Sequence, residues 1–297
     1  MADTESIIKE GLNIENSELD LREREIGDEE LKSILQSDQI KGVTAMFLEF
    51  NEVGDEGLQA LLDCKEMKNL TVLNLFKNKV TDKGLAAMCK SKTMLNLSEL
   101  ILSDNAITPV GAQALAESTI LGNLVSLWVG DGLEDDGTVA IAQSETLTRL
   151  NLLSLYRNNV GDTGAQAIAR SKNLSKLTEL NLNWNYIEPN GCVAMAESET
   201  LKNLQQLTLT YNPIGDRGVE AIAKSDAMRN LTLLDLYETE ITDRGARAIA
   251  ESKVLSNLET LVLVHNDISE EVQELIQNSE NLPKLSRVVF RLTPAEH

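Results

Sequence analysis

The chain is poor in aromatic residues: its 297 residues include four Phe, two Trp and four Tyr. Its hydrophobic residues make up 42% of the sequence, so a sizeable core must be built almost entirely from aliphatic side chains. The places where the ten aromatic residues do occur are therefore informative about function.

Cysteine is also scarce, with Cys64, Cys89 and Cys192 the three present. An odd number without metal-ligand spacing argues against a disulfide framework or a zinc site. Cys89 and Cys192 stand where equivalent positions of an internal repeat carry Ala, and Cys64 stands where they carry Ser. We interpret all three as small buried residues of a reduced chain.

Basic residues are few relative to acidic ones: 27 Lys and Arg against 47 Asp and Glu give a net charge of −20. Such a surface repels phosphate, which argues against nucleic acid or an anionic membrane as partner. No stretch approaches the roughly 20 apolar residues of a membrane span, and residues 1–20 lack a basic region followed by an apolar run. We predict a cytoplasmic protein, with a secreted effector that lacks a recognisable signal as the alternative.

Motifs of catalysis are missing as well. The two histidines are His265 and the terminal His297, and no phosphate loop, dinucleotide fingerprint, zinc pattern or calcium loop occurs. A Gly-Asp-x-Gly pattern recurs at residues 54–57, 161–164 and 215–218. Its fixed phase at predicted helix starts favours helix capping over metal binding. We therefore predict that the protein is not an enzyme and uses no cofactor and no metal.

A repeat of 27 residues runs along nearly the whole chain. Its clearest marker is an asparagine that recurs as Asn51, Asn78, Asn105, Asn158, Asn185, Asn212 and Asn266. Asn105 and Asn158 are 53 residues apart, or 27 + 26, so one unit has lost a residue. The loss falls at residues 129–133, where the asparagine is missing, and we predict an irregular loop there.

Each repeat contains a strand and a helix. Two leucines, two residues apart, recur in eleven predicted strands, and 18 of these 22 positions are Leu; the exceptions are Met46, Val129, Val288 and Phe290. Residues two apart on a strand face the same way, so both enter the core. The asparagine that follows can bond backbone groups of neighbouring turns. A glycine near the helix start, such as Gly84, would let the helix pack tightly on the strand loop.

A strand and a helix at this period resemble the leucine-rich repeat family. The Asn-x-Ile-Gly-Asp-x-Gly-Ala-x-Ala-Ile-Ala pattern most resembles its ribonuclease-inhibitor-like branch. The resemblance covers about residues 16 to 293 and implies an α/β solenoid of horseshoe shape, with about eleven parallel strands on the concave face and helices on the convex face. We predict one domain over residues 1–297: an N-terminal cap helix in 1–15, repeats in 16–284, and a closing strand and tail in 285–297.

Eight of the ten aromatic residues fall in three positions of the repeat beside the two leucines, which we expect to lie along one outward face. These positions lie between the two leucines, directly after the second, and one residue further on. With the basic residues beside them and His265, they give the predicted partner-binding set: Phe47, Phe50, Phe76, Lys77, Trp128, Tyr156, Arg157, Trp184, Tyr211, Tyr237 and His265. Trp and Tyr dominate interface hot spots, although aromatic residues also favour strands and stack across sheets.

The main hypothesis is a non-catalytic module that binds a protein or peptide through this aromatic-rich face, as an inhibitor, adaptor or substrate-recognition subunit. Acidic side chains beside the aromatics suit a partner with a basic patch, and we expect a monomer. The alternatives are a regulator of an enzyme, resembling the leucine-rich Ran GTPase-activating proteins, a bacterial effector acting in a host cell, and a structural spacer. No residue of this chain can be matched to the activating site of the GTPase regulators.

Overall fold

A computed structural model describes residues 4–15 and 17–291. The helices of this part of the chain are α1 (Thr4–Gly11), α2 (Asp28–Leu35), α3 (Asp55–Asp63), α4 (Asp82–Met88), α5 (Pro109–Ala116), α6 (Glu134–Gln143), α7 (Asp162–Arg170), α8 (Pro189–Ala196), α9 (Gly215–Lys224), α10 (Asp243–Ala250) and α11 (Glu270–Gln277). The strands are β1 (Leu12–Asn13), β2 (Glu18–Asp20), β3 (Ala45–Phe47), β4 (Val72–Asn74), β5 (Glu99–Ile101), β6 (Ser126–Trp128), β7 (Leu152–Ser154), β8 (Glu179–Asn181), β9 (Gln206–Thr208), β10 (Leu233–Asp235), β11 (Thr260–Val262) and β12 (Arg287–Val289).

These elements form two compact units. Unit 1 comprises residues 1–133 and 144–150, and unit 2 comprises residues 134–143 and 151–297. In unit 1, β2 to β6 pair in chain order and in parallel; in unit 2, β7 to β12 do the same. Each unit is thus an α/β solenoid of strand–helix repeats, which confirms the predicted fold class and the eleven repeat strands. That residues 1–297 form one domain stays a prediction.

The strand leucines build the core. Parallel pairing aligns equivalent leucines in register, so that Leu180 faces Leu207 and Leu207 faces Leu234. Twenty of the 22 predicted positions are at most 1% exposed; the other two, Val288 and Phe290, are half-buried because they belong to the last strand. Burying a leucine side chain contributes roughly 2 kcal/mol, so these rows dominate the stability of both units.

The recurring asparagines join successive repeats, as predicted. The amide nitrogen of Asn212 donates to Leu182 O at 2.9 Å, Leu209 O at 2.9 Å and Thr210 O at 3.3 Å. Its amide oxygen accepts from Ile187 N at 3.0 Å. One fully buried side chain thus bonds four backbone groups, two of which, Leu209 O and Ile187 N, would otherwise lack partners.

The Gly-Asp-x-Gly pattern does cap helices, but across the repeat boundary. Asp162, the first residue of α7, accepts from Glu188 N at 2.9 Å and Gly191 N at 2.8 Å, at the start of α8. A Cβ on Gly191 would lie 2.5 Å from this carboxylate oxygen. The glycine is therefore needed mainly to admit the aspartate of the preceding repeat, which corrects the predicted role of packing on the strand loop.

The shortened repeat is irregular, as predicted. Gly132 occupies the asparagine register, and Asp131 has φ of +92°, whereas the equivalent residues of other repeats lie between +49° and +58°. The Oδ2 atom of Asp131 accepts from Asp104 N at 2.5 Å. This carboxylate holds a loop from which the bridging asparagine is missing.

The predicted N-terminal cap is confirmed in part. Helix α1 buries Ile7 and Ile8, but Leu12 and Asn13 form the short strand β1, antiparallel to β2, which the sequence did not predict. Ile14 is exposed and does not seal the first repeat. At the other end, Arg287–Val289 forms the predicted closing strand; the tail beyond residue 291 lies outside the described residues. Cys89 and Cys192 are buried as predicted, whereas Cys64 is only half-buried.

Candidate functional site

The strand side chains opposite the leucines form what we call the open face of each unit. The last of its three positions has left-handed backbone in every described repeat, at residues Glu23, Phe50, Lys77, Asp104, Asp131, Arg157, Trp184, Tyr211, Glu238 and His265. Such φ values are costly for large side chains, on the order of 1 kcal/mol each. The asparagine that follows, as Asn212 follows Tyr211, holds the turn with its backbone bonds. The repeat therefore places bulky side chains at positions where glycine would adopt the backbone conformation at lower energy.

Four rings in unit 2 stack in a continuous row across four consecutive strands, β8 to β11. The ring centroids are 4.0 Å apart for Trp184 and Tyr211, 5.3 Å for Tyr211 and Tyr237, and 5.1 Å for Tyr237 and His265. We call these four residues the ring stack. Trp184 is 48% exposed, His265 is exposed, and the two tyrosines are half-buried. Trp184 and Tyr211 hold the same position in consecutive repeats, and the parallel pairing of β8 and β9 brings their rings together.

A smaller aromatic cluster lies on the open face of unit 1. Phe50 and Phe76 meet edge to face with centroids 5.2 Å apart. The ammonium of Lys77 lies 5.0 Å from the Phe50 centroid, and the guanidinium carbon of Arg22 lies 5.8 Å from that of Phe47. Cations at these distances are attracted to the ring faces. In unit 1 the cations that lie near the aromatic rings are therefore side chains of the protein itself, Lys77 and Arg22.

The remaining predicted residues also lie on the open faces. Trp128 in unit 1 and Tyr156 in unit 2 are half-buried, and the exposed Arg157 places its guanidinium carbon 5.8 Å from the Tyr156 centroid. None of the eleven predicted residues is buried in the leucine core. The predicted single band therefore comprises a cluster in unit 1 and the ring stack with Tyr156 and Arg157 in unit 2.

Carboxyl groups beside the rings have perturbed acidity. Burial raises the pKa of Asp235, although Tyr237 N and the Thr210 side chain favour its charged form. Burial likewise raises the pKa of Glu49 in unit 1, whose Oε1 accepts from Asn74 at 2.7 Å. Its Oε2 is buried without a hydrogen-bond partner among the described residues. Both open faces thus keep a partly desolvated carboxyl group next to aromatic rings.

Tyr211 is tied to its neighbours by its hydroxyl as well as its ring. Hydrogen bonding with Tyr237, then burial, then hydrogen bonding with Glu238, raise the pKa of Tyr211 to about 12 from an ordinary value of 10.0. The fold favours the neutral phenol, so its contribution to stability is complete below about pH 10 and is lost as the pH rises towards about 12.

We expect Tyr211→Phe to remove the last-titrating component from the ultraviolet difference spectrum of tyrosinate formation. Tyr237→Phe should shift that component to lower pH, because it removes the largest cause of the raised pKa. Circular dichroism recorded in the same titration checks that the chain is still folded. A last component that persists unchanged in Tyr211→Phe would contradict the hydroxyl contacts of the ring stack.

Sequence reasoning missed how the ring stack is assembled. Tyr237 belongs to a different repeat position from Trp184, Tyr211 and His265, and Glu238 occupies the place in their row where a fourth ring would stand. Tyr237 nevertheless contacts both Tyr211 and His265. The sequence does contain a sign of this arrangement. In the pair Tyr237-Glu238 the aromatic residue stands one position earlier than Trp184, Tyr211 and His265 do in their repeats.

The structure shows no arrangement suited to metal binding in residues 4–15 and 17–291. The aspartates of the Gly-Asp-x-Gly pattern are engaged in helix caps, as Asp135 is with Gly161 N and Gly164 N, both at 2.8 Å. Within the same residues, every helix is too short or too polar to cross a membrane.

The repeats match a known family. Residues 48–62, 66–89, 93–116, 143–169, 173–196, 200–223 and 227–250 match the family model described as Leucine Rich repeat. The chain belongs to the leucine-rich repeat family. Leucine-rich repeat proteins generally act as protein-interaction modules, and their fold is generally non-catalytic. No curated protein matches the full sequence significantly.

Two solved leucine-rich repeat structures are similar to this chain. An internalin of Listeria monocytogenes is 18% identical, with 98% of this chain and 88% of that chain covered and a TM-score of 0.49. A leucine-rich repeat protein of Leptospira interrogans is 22% identical, with 87% of this chain and 62% of that chain covered and a TM-score of 0.53. At this identity the Leptospira structure supports the fold alone.

Proposed function

We propose that this leucine-rich repeat protein is a non-catalytic module that binds a protein or peptide through its aromatic-rich open faces, with the ring stack of unit 2 as its anchor. The observation that carries the proposal is the continuous row of four rings, each in contact with the next and each open to solvent in part. The core needs none of these rings, because aliphatic side chains fill it.

The chemistry of the row supports recognition. Trp and Tyr provide large contact area with few rotatable bonds, so that little conformational entropy is lost on binding. Stacking on neighbours already restricts Trp184 and Tyr211 in the free protein, which lowers that loss further. A rigid, partly apolar row beside polar positions has the composition of a hot spot with a polar rim.

Each unit contributes further residues to its own proposed binding face. In unit 2 these are Tyr156 and Arg157; in unit 1 they are Phe47, Phe50, Phe76, Lys77 and Trp128. The acidic charge of the chain supports a partner with a basic patch over nucleic acid or a membrane surface. We also propose that the protein is a monomer and that it is cytoplasmic. Its 27-residue repeats support a place in the ribonuclease-inhibitor-like branch of the family.

Peptide selection tests the proposal and does not require the natural partner. A displayed library of random dodecapeptides is selected on the intact protein, and the recovered peptides are then bound to Tyr211→Ser and to the control Tyr186→Ser. Tyr186 is a matched control because it lies in unit 2, is 66% exposed and stands outside the three open-face positions.

We expect most selected peptides to lose at least about tenfold in affinity on Tyr211→Ser, because the central ring of the stack is removed. The same peptides should bind Tyr186→Ser as they bind the unmodified protein. Selected peptides that tolerate Tyr211→Ser would show that the protein binds elsewhere, and the ring stack would then be a packing feature.

A further inference from the structure

Two carboxyl groups on the open face of unit 2 lack any cation supplied by neighbouring open-face positions. Strands β8 to β11 present twelve such positions, namely Asn181, Asn183, Trp184, Thr208, Thr210, Tyr211, Asp235, Tyr237, Glu238, Val262, Val264 and His265. The twelve include two acids and neither Lys nor Arg. Both acids lie on β10 or shortly after it, in the middle of the ring stack.

Glu238 holds the repeat position that carries a ring in Trp184, Tyr211 and His265. It follows Tyr237, and in the row of left-handed residues it stands between Tyr211 and His265. Its carboxylate is exposed, and the Tyr211 hydroxyl lies within hydrogen-bonding reach of it. Tyr237 contacts the rings on both sides, with centroid distances of 5.3 and 5.1 Å. We call Glu238 and these three rings the acidic notch.

Unit 1 shows how the chain satisfies a similar set of groups with its own arginine. The Nε of Arg22 donates to Asp20 Oδ1 at 2.9 Å, and a terminal nitrogen donates to Oδ2 at 2.5 Å. The same guanidinium lies 5.8 Å from the centroid of Phe47 on the next strand. A planar cation thus pairs with a carboxylate in two places while it lies near an aromatic ring.

The equivalent repeat in unit 2 has the acid without the arginine. Asp235 stands in the position of Asp20, between the two strand leucines, but Tyr237 replaces Arg22 two residues later. Burial raises the pKa of Asp235, because desolvation disfavours its charged form. The exposed Asp267, two residues after His265, adds further negative charge.

We propose that the acidic notch binds an arginine side chain of a protein or peptide partner, with the guanidinium paired to Glu238 and lying against the rings of Tyr211, Tyr237 and His265. The inference rests on the proposed function and names the chemistry of its partner. Arginine fits better than lysine because its planar guanidinium both stacks on rings and bonds a carboxylate in two places, whereas an ammonium is a strongly hydrated point charge.

The test uses the tightest peptide from the dodecapeptide selection, in three synthetic forms that differ at one arginine: arginine, lysine and citrulline. Citrulline keeps the shape of arginine and removes its charge. Affinities are measured by calorimetry for the unmodified protein, for Glu238→Gln and for the control Glu240→Gln. Glu240 is an exposed carboxylate two residues away that is not one of the open-face positions.

We expect the selected peptides to be enriched in arginine, and the citrulline form to bind the unmodified protein at least about tenfold more weakly, as for a close charge pair. The preference for arginine should fall to less than about twofold in Glu238→Gln and persist in Glu240→Gln. The lysine form should bind between the other two.

Three results would overturn the notch and leave the proposed function standing: Tyr211-dependent peptides without arginine, equal affinity for the lysine form, or an arginine preference that survives Glu238→Gln. The absence of any Tyr211-dependent peptide would overturn the proposed function and the notch with it. The two proposals can therefore fail separately.

Discussion

Asn212→Ala should lower the free energy of unfolding by about 3 to 4 kcal/mol. The substitution leaves Leu209 O and Ile187 N without a hydrogen-bond partner. Leu182 O and Thr210 O each lose one bond but still accept from Asn185 Nδ2 and Trp184 N. An unsatisfied buried polar group costs about 1–3 kcal/mol, and water that enters the shortened side chain's space offsets part of the sum. Urea unfolding followed by circular dichroism measures the loss.

The same repeat offers a matched control. Asn203 is exposed and makes a single bond, from its amide nitrogen to Ser175 O at 2.8 Å. We expect Asn203→Ala to cost less than about 1 kcal/mol. Equal losses for the two variants would show that the asparagine bonds between repeats do not stabilise the solenoid.

In the next repeat a threonine stands in the asparagine register, and it suggests a variant of intermediate stability. Thr239 stands in the asparagine register, and its hydroxyl donates to Leu236 O at 2.8 Å. Its backbone nitrogen donates to Asn266 at 3.1 Å. Asn212→Thr should therefore keep part of the network and lose less stability than Asn212→Ala.

The positions of the strands and turns can be predicted well from the sequence because the same residue pattern recurs in each repeat. The spacing of paired leucines located all eleven parallel strands, and the asparagine register located the turn after each. The shortened unit was visible from the distance between Asn105 and Asn158, and Asp131 does depart from the backbone of its equivalents. Repetition turns a weak local signal into a strong one.

Contacts across the repeat boundary could not be predicted in the same way. The sequence placed Asp162 and Gly191 at helix starts, but not the fact that the aspartate of one helix caps the next. The short strand β1 was missed because Leu12-Asn13 occurs once, outside the repeat, and is defined only by its pairing with β2. Both features depend on which neighbour a residue meets in space.

The site could be predicted as a set of positions but not as an arrangement. The eleven residues predicted from the three open-face positions all lie outside the leucine core, and that they bind a partner stays a prediction. Their side chains, however, cross between positions: the Tyr237 ring contacts Tyr211 and His265, which are one position further along their own repeats. Trp184, Tyr211 and His265 have left-handed backbone at the turn after the strand and Tyr237 does not, so the repeat position alone does not determine which rings meet.

Trp184→Ala separates binding from packing at the end of the ring stack. The Trp184 side chain is 48% exposed and lies outside the leucine core, with its main ring contact to Tyr211 at 4.0 Å. Loss of that contact should cost about 1 kcal/mol or less, or a fall in Tm of less than about 4 °C for a chain of this size. Loss of a hot-spot tryptophan should cost about 2 kcal/mol of binding free energy or more.

The most direct test of the central claim is therefore a melting curve recorded beside a binding isotherm for Trp184→Ala, with the tightest selected peptide as ligand. A binding surface predicts an affinity loss of about 30-fold or more with a nearly unchanged Tm. A large fall in Tm with unchanged affinity would show that the ring stack serves packing, and would contradict the assignment of this face to partner binding.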